Sequence, residues 1–442
     1  MRPPSLSLRR WWRVAAETLL SAASFLVFAF LDLLDVALCF FYRVADAVLE
    51  ERPIPCYCRL DGGRSREGEG REGEKRGDCG GGGGEVSETL YGRKNVFREM
   101  GLLGSRWGRR EGGKEKGRSM RSPRWSDCSC KACVSWVGDG DGKLLHFVMK
   151  EPSSDARDGR SGSTTEVIFL HGFLSSSSIW TETVFSNLSE AAAQNCRLFA
   201  VDLLGFGQSP KPADCFYTLG EHIGMIERTI IEPFQLDSFH LVAHSMGCII
   251  ALAIAAKHRE LVRSITVVAP PYFCSTKDIA SHNALNKLAA RRLWPLSLFG
   301  SSVMSWYEHL GRSICFIVCR NHRKWEWILK LITRRDPHFL FVDITKHTHH
   351  SAWHTMHNVI CGGAKSLEEH LEALSGSGIP AKVIHGSKDQ VVPLECSYSV
   401  KSRAPFLDLQ VIPGADHISV VLGRERDFTR SLEELWFSSS KA

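Results

Sequence analysis

The chain has 442 residues, 43% of them hydrophobic and 24% charged, with a net charge of +6. That length fits a catalytic domain of ordinary size plus an extension, and the apolar content excludes a chain disordered throughout. The charge is uneven: residues 59–124 hold 17 Lys and Arg against 11 Asp and Glu, which accounts for the whole excess. The remainder is near neutral and offers no basic surface for nucleic acid.

The N-terminus reads MRPPSLSLRRWWR, followed by a mostly apolar run from Val14 to Tyr42 that Asp32 and Asp35 interrupt. An aspartate at the centre of a bilayer costs about 2.5–3.5 kcal/mol on insertion scales. A signal peptide, a signal anchor and an amphipathic helix lying on a membrane all fit this pattern. The run exceeds a signal-peptide core, shows no clear cleavage site, and follows Arg9, Arg10 and Arg13. These features predict a signal anchor or uncleaved signal over residues 1–50, with the catalytic domain on the lumenal or outer side.

Residues 51–124 read as a low-complexity, charged and glycine-rich linker. The stretch 61–84 holds 11 glycines and cannot bury apolar area. A short ordered-looking island, ETLYGRKNVFREMGLLG, interrupts it. The 15 cysteines are scattered and odd in number, so they do not form a small disulfide scaffold. Cys56 and Cys58 precede the charged stretch 59–124, and Cys128, Cys130 and Cys133 follow it. Disulfides or free thiols are expected there in preference to zinc, because the spacings lack a clean paired CxxC arrangement.

From residue 125 the pattern changes to short apolar runs alternating with helical segments. Val134–Val137 and Leu144–Met149 read as two opening strands around the turn GDGDG. Further strands are expected at Glu166–Leu170, Leu198–Val201, Phe239–Ala243, Ser264–Ala269, Ala381–Ile384 and Asp408–Ile412, with a helix at Gly247–Lys257. Unalternating apolar strands suit burial on both faces. The predicted fold is α/β: a mostly parallel, doubly wound sheet of the α/β-hydrolase type with an inserted helical cap. Residues 125–270 and 380–442 would form its core and 271–379 its cap.

The central motif is Ala243-His244-Ser245-Met246-Gly247, between a strand and an apolar helix. A nucleophile elbow requires this context, with small residues two positions either side of the serine. Gly247 meets that demand, and Ala243 stands where glycine is usual. An oxyanion hole needs two backbone N–H groups. Met246 is expected to supply one and Phe173, in His171-Gly172-Phe173 after a strand, the other. Gly172 allows the close approach, and His171 is read as bracing the loop. Asp389 lies beyond a late strand and His417 beyond the next, so Ser245, Asp389 and His417 follow the chain order this fold demands. Ser245 would attack, His417 would carry the proton, and Asp389 would orient the imidazole. Asp416 is a rival acid, disfavoured because it adjoins His417. Asp202 is read as fixing a turn.

The constellation needs no metal and no cofactor. His350, His354 and His357 share a helical face in a cluster that includes His347 and His349. Without a motif such as HExxH they are read as packing or a pH-sensitive lid rather than metal ligands. Trp294, Trp306, Trp325, Trp327 and Trp353 suit either an acyl-chain pocket or an ordinary helical core. Asn187-Leu188-Ser189 is a glycosylation sequon that agrees with a secretory route.

From about Glu88 to the C-terminus several stretches resemble the plant BODYGUARD family, most specifically those outside the general hydrolase motifs. They include ETLYGRKNVFREMG, SPRWSDCSCKACVSWV, VIFLHGFLSSSSIWTETVF, LVAHSMGCIIALAIA, THHSAWHTMHNVICGGAK and HGSKDQVVP. The resemblance implies a lysophospholipase-type activity, a role in cuticle (cutin and wax) formation, and a place at the cell wall or membrane. It places Ser245, Asp389 and His417 at the family's catalytic positions. The expected function is therefore a serine esterase, or an acyltransferase sharing its acyl-enzyme, acting on lipid acyl esters. No nucleic acid and no obligate protein partner are expected. The alternative is a non-catalytic member of the fold that binds a ligand or serves as a scaffold at the cell wall. Ser245 itself argues against epoxide hydrolases and dehalogenases, which carry a carboxylate there.

Overall fold

The computed structural model describes residues 6–50, 85–91, 93, 95–99, 124–137, 144–153 and 164–438. The glycine-rich run, Cys56, Cys58 and the GDGDG turn lie outside the described residues.

Seven strands form one sheet: β1 (Phe147–Lys150), β2 (Thr165–Leu170), β3 (Cys196–Val201), β4 (Phe239–His244), β5 (Val262–Val268), β6 (Ala381–Gly386) and β7 (Asp408–Ile412). Their order is β1-β3-β2-β4-β5-β6-β7. β1 runs antiparallel to β3, and every other neighbouring pair is parallel. β2 shows how the sheet separates two cores. Val167 and Phe169 join Trp180 and Trp436 on one face, while Ile168 and Leu170 join Leu241 and Ile250 on the other. Both faces are covered, so the strands read as continuous apolar runs. The helix Met246–Lys257 is buried from Met246 to Ala255 because it lies between the sheet and the helix Leu367–Leu374.

One expected strand is a helix. Val134–Val137 forms the end of Lys131–Val137, and the Val134 N–H donates to the Cys130 carbonyl at 2.9 Å. A four-residue apolar run fits either element, and here the helical bonds decide. The first strand of the sheet is β1, which overlaps the expected Leu144–Met149.

Between β5 and β6 the chain leaves the sheet. It forms helices at Ala280–Leu288, Leu296–Trp306, Glu308–Ile317, His322–Thr333, His349–Thr355 and Leu367–Leu374. The long N-terminal helix, Leu6–Leu49, docks against this insertion. Asp32, Asp35 and Asp46 fall on one helical face, and all three are buried. The Asp32 carboxylate accepts the Val96 N–H at 3.1 Å and lies 3.5 Å from Arg291. Asp35 accepts the His309 N–H at 3.0 Å. Asp46 accepts both terminal nitrogens of Arg312 at 2.6 and 2.7 Å, Arg124 at 2.9 Å and the Trp125 indole at 2.7 Å. The carboxylates that would be costly in a bilayer are paired inside the protein. The helix still exposes Phe25, Leu26, Phe30, Leu33, Phe40 and Phe41.

The island after the glycine-rich run is packed as well. The Ser87 N–H donates to Asn358 at 2.9 Å, and the Arg93 guanidinium lies 4.3 Å from the Trp353 ring centre.

Candidate active site

β4 ends at His244, and Ser245 turns the chain into the next helix with φ 52° and ψ −121°. A non-glycine residue is strained in this conformation and persists only where its surroundings impose it. The Ser245 N–H is fixed by donation to the Val268 carbonyl at 2.8 Å. A Cβ on Gly247 would lie 2.6 Å from the His171 carbonyl oxygen and 2.8 Å from that of Leu170. No side chain fits there. Ala243 faces the apolar core instead, so its methyl is accommodated. Ser245 itself is 8% exposed.

Met246 opens the helix, so its N–H has no preceding turn to bond. The loop after β2 approaches the elbow closely: a Cβ on Gly172 would lie 3.1 Å from the Ser245 Cβ and 2.9 Å from His244 Nδ1. Phe173 follows, its ring edge-on to Phe206 at 5.7 Å. His171 spans the base of the loop. Its Nδ1–H donates to the Gly172 carbonyl at 2.7 Å, and its Nε2 accepts the Leu203 N–H at 2.9 Å. Burial lowers its pKa and keeps the ring neutral, which the bond accepted at Nε2 requires.

Asp389 follows β6 and His417 follows β7. His417 Nδ1 donates to Asp389 Oδ2 at 2.7 Å. The other carboxylate oxygen accepts the N–H groups of Val391 and Val392 at 2.8 and 2.9 Å. His385 Nε2 lies 3.3 Å from Oδ2. Burial alone would raise the Asp389 carboxyl. Hydrogen bonds from His385 and His417, with that of the Val392 N–H, override burial and hold it well below the usual carboxylate range. Asp416 is engaged elsewhere: its Oδ1 accepts the N–H groups of Ile418 and Ser419 and the Ser419 hydroxyl. Asp202 ties loops together, accepting the Ser177 N–H at 2.6 Å, the Gln208 N–H at 2.8 Å and His146 Nδ1 at 3.0 Å.

Two further histidines belong to this arrangement, and nothing in the motifs singles them out. His244 Nε2–H donates to the His417 carbonyl at 3.0 Å, and the two rings lie 4.7 Å apart. Burial, reinforced by His417, pushes His244 down to about 3, so it is neutral near pH 7. His385 accepts the Ser397 hydroxyl at Nδ1 and donates to the Val392 carbonyl, which fixes the turn carrying Asp389. The contact from His244 spans 173 residues, so no local spacing reveals it.

The cap histidines do not converge on one another as ligands. His350 donates to the Cys215 carbonyl at 3.0 Å, and His357 Nδ1 lies 3.1 Å from the Thr89 hydroxyl. Burial pushes His350 down to about 4. His347 faces Cys315 and Cys319. Among the tryptophans, Trp306 donates to the Ala289 carbonyl, Trp325 to that of Ile317, and Trp353 packs under Arg93. Trp294 and Trp327 are exposed, and Trp294 lines a groove with Phe25 and Phe28 of the N-terminal helix. These partners account for the tryptophans as cap packing and surface.

The family model of the alpha/beta hydrolase fold matches residues 166–423. An Arabidopsis thaliana protein named "Probable lysophospholipase BODYGUARD 4" is 48% identical over 427 residues, covering 95% of this chain and 97% of that protein. The chain belongs to the BODYGUARD family of α/β-hydrolases. BODYGUARD 5 and BODYGUARD 1 of the same plant are 44% and 38% identical, covering 95% and 94% of this chain and 96% and 95% of their own lengths. The BODYGUARD match therefore runs well beyond the hydrolase core, into the N-terminal region that packs on the cap.

Proposed function

We propose that the chain is a serine hydrolase that forms an acyl-enzyme on Ser245 from lipid acyl esters of the lysophospholipid class. The observation that carries this reading is the bond from His417 to a buried, ionised Asp389, with the His417 backbone held by the residue before Ser245. His417 takes the Ser245 proton as the hydroxyl attacks the ester carbonyl. The N–H groups of Met246 and Phe173 receive the negative charge that develops on the carbonyl oxygen. His417 then returns the proton to the departing alcohol. Water or an acceptor alcohol releases the acyl group by the same steps in reverse order.

The relatives' names support the lysophospholipid class. The exposed apolar face of the N-terminal helix supports attachment to a lipid surface, where such substrates reside. A membrane or cell-wall setting on the secretory route, with acyl chains destined for the cuticle, completes the proposal.

The test is labelling of the full-length chain with a fluorophosphonate, followed by turnover of lysophosphatidylcholine, monoacylglycerol and hydroxy-fatty-acyl esters. Both free acid and acyl transfer to added glycerol are measured. Labelling is expected on Ser245 and absent in Ser245→Ala, with lysophosphatidylcholine among the substrates turned over. Labelling that survives the substitution would falsify the assignment of the nucleophile. Turnover confined to the other esters would overturn the substrate class.

A further inference from the structure

Two chain segments far apart in sequence bring a second chemical centre together, away from Ser245. Cys128, Cys130 and Cys133 lie just before and within the helix Lys131–Val137, and His322 begins the helix His322–Thr333. Their three sulfurs and one ring nitrogen all lie within 4.8 Å of one another. Among the described residues every cysteine is a free thiol.

The distances match a tetrahedral metal site. Zinc bonds of about 2.3 Å to sulfur and about 2.0–2.1 Å to nitrogen require a sulfur–nitrogen edge of about 3.5–3.6 Å. His322 Nε2 lies 3.7 Å from Cys130 Sγ and 3.6 Å from Cys133 Sγ. The other face of the ring is prepared for the same purpose. His322 Nδ1 lies 2.8 Å from the Glu326 carboxylate, so the proton sits on Nδ1 and the Nε2 lone pair faces the sulfurs. A carboxylate behind a ligating histidine is the usual support of a zinc centre. The Cys130 N–H approaches Cys128 Sγ at 3.5 Å.

We infer that Cys128, Cys130, Cys133 and His322 form a structural zinc site that fastens the N-terminal segment to the cap. Three thiolates and one imidazole complete a closed tetrahedral set, the donor combination that selects zinc and leaves no open position for chemistry. Binding displaces three thiol protons, so affinity rises with pH. His322 lies 192 positions from Cys130 and 189 from Cys133. The same segment reaches the hydrolase core: the Lys211 N–H donates to the Trp136 carbonyl at 2.8 Å, and the Lys211 ammonium lies 4.3 Å from the Trp136 ring centre. Zinc at this position therefore links cap, N-terminal segment and the loop after β3. A neighbouring trio, Cys315, Cys319 and His347, repeats the sulfur–nitrogen spacing at 3.5 and 3.7 Å but supplies only three ligands.

Local spacing conceals the site. Cys130 and Cys133 form one CxxC, and no second pair follows. The fourth ligand is a histidine in the cap, found only through the fold.

The test is elemental analysis of the full-length chain, purified in detergent without chelator. At least one zinc per chain is expected. Cys130→Ser combined with Cys133→Ser should hold one zinc fewer than the parent, whereas Cys274→Ser, at an exposed thiol outside the cluster, should hold the same amount. If the double variant does not fold, Glu326→Gln keeps all four ligands and removes only the support behind His322. It should release zinc to a colorimetric chelator about 10- to 100-fold more readily. The inference is overturned by a disulfide among Cys128, Cys130 and Cys133 in non-reducing peptide maps. It is equally overturned by sub-stoichiometric zinc in reduced protein given excess zinc, or by release from Glu326→Gln at the parental rate.

Discussion

Replacing Asp46 by Asn removes one negative charge and keeps the shape of the side chain. The carboxylate meets Arg312 at 2.6 and 2.7 Å, Arg124 at 2.9 Å and the Trp125 indole at 2.7 Å. Arg312 and Asp46 side chains are 4% and 7% exposed, so water does not replace a lost partner. Removing one member of a buried ion pair costs about 3–5 kcal/mol, because the other charge stays buried. Two features soften the loss here. Arg312 keeps its bond to Ser126 at 3.1 Å, and the Tyr42 ring lies 4.4 Å from the guanidinium. The low end, about 3 kcal/mol or roughly a 100-fold change in the folding constant, is therefore expected. The assay is equilibrium urea unfolding of the full-length chain in mild detergent, read by tryptophan fluorescence. Arg312→Met should cost a similar amount, and the double variant should cost about 2 kcal/mol less than the sum of the singles. A loss below about 0.5 kcal/mol for Asp46→Asn, or simple additivity, would show that the N-terminal helix does not dock on the cap as described.

The remaining predictions concern the site and the fold around it. Asp389→Asn should lower kcat by about 10³- to 10⁴-fold by removing the acceptor that orients His417, while Asp416→Asn stays near the parental rate; the reverse order in a p-nitrophenyl ester assay would reassign the acid. Gly247→Ala drives a Cβ to within 2.6 Å of the His171 carbonyl oxygen and 2.8 Å of that of Leu170, at the end of β2. It should destabilise the chain by about 1–3 kcal/mol and abolish fluorophosphonate labelling; a fully labelled, stable variant would refute the steric argument. Burial pushes His222 and His244 down to about 3, and His240 and His350 down to about 4, from an ordinary 6.5. The unfolded chain then binds more protons than the folded one below 6.5, so this stability is present above 6.5 and is lost as pH falls toward 4. Each group contributes up to about 1.4 kcal/mol per pH unit in that window. Calorimetry should show Tm falling steeply below pH 6.5, and a flat Tm from neutrality to the lower end of the window would contradict it.

Strand ends were the most legible part of this chain. β4, β6 and β7 are short, apolar and bounded by turn residues, and Ser245, Asp389 and His417 follow them directly. The elbow and the oxyanion loop are equally local, because Gly247 and Gly172 mark close backbone approaches that a side chain would block. Long-range pairing was not legible. His244 reads as an ordinary motif position until its bond to the His417 carbonyl is seen. Asp32 and Asp35 read as interruptions of a membrane segment, whereas their partners Arg291 and His309, like Arg312 beside Asp46, lie in the cap. Val134–Val137 failed for a different reason: four apolar residues carry no period long enough to separate strand from helix.

The pairing of Asp46 with Arg312 spans 266 residues, and that separation has a meaning in time. At about 5–20 residues per second, the helix leaves the ribosome roughly 13–50 s before its cap partner exists. For most of that interval Asp46 can meet only Arg124, which follows it by 78 residues, while Asp32 and Asp35 still lack Arg291 and His309. Any surface that meets the helix in that interval reaches it before the finished cap does. Slowing or speeding translation of residues 50–312 should therefore change how long the helix waits for the cap, without altering a single contact in the folded chain.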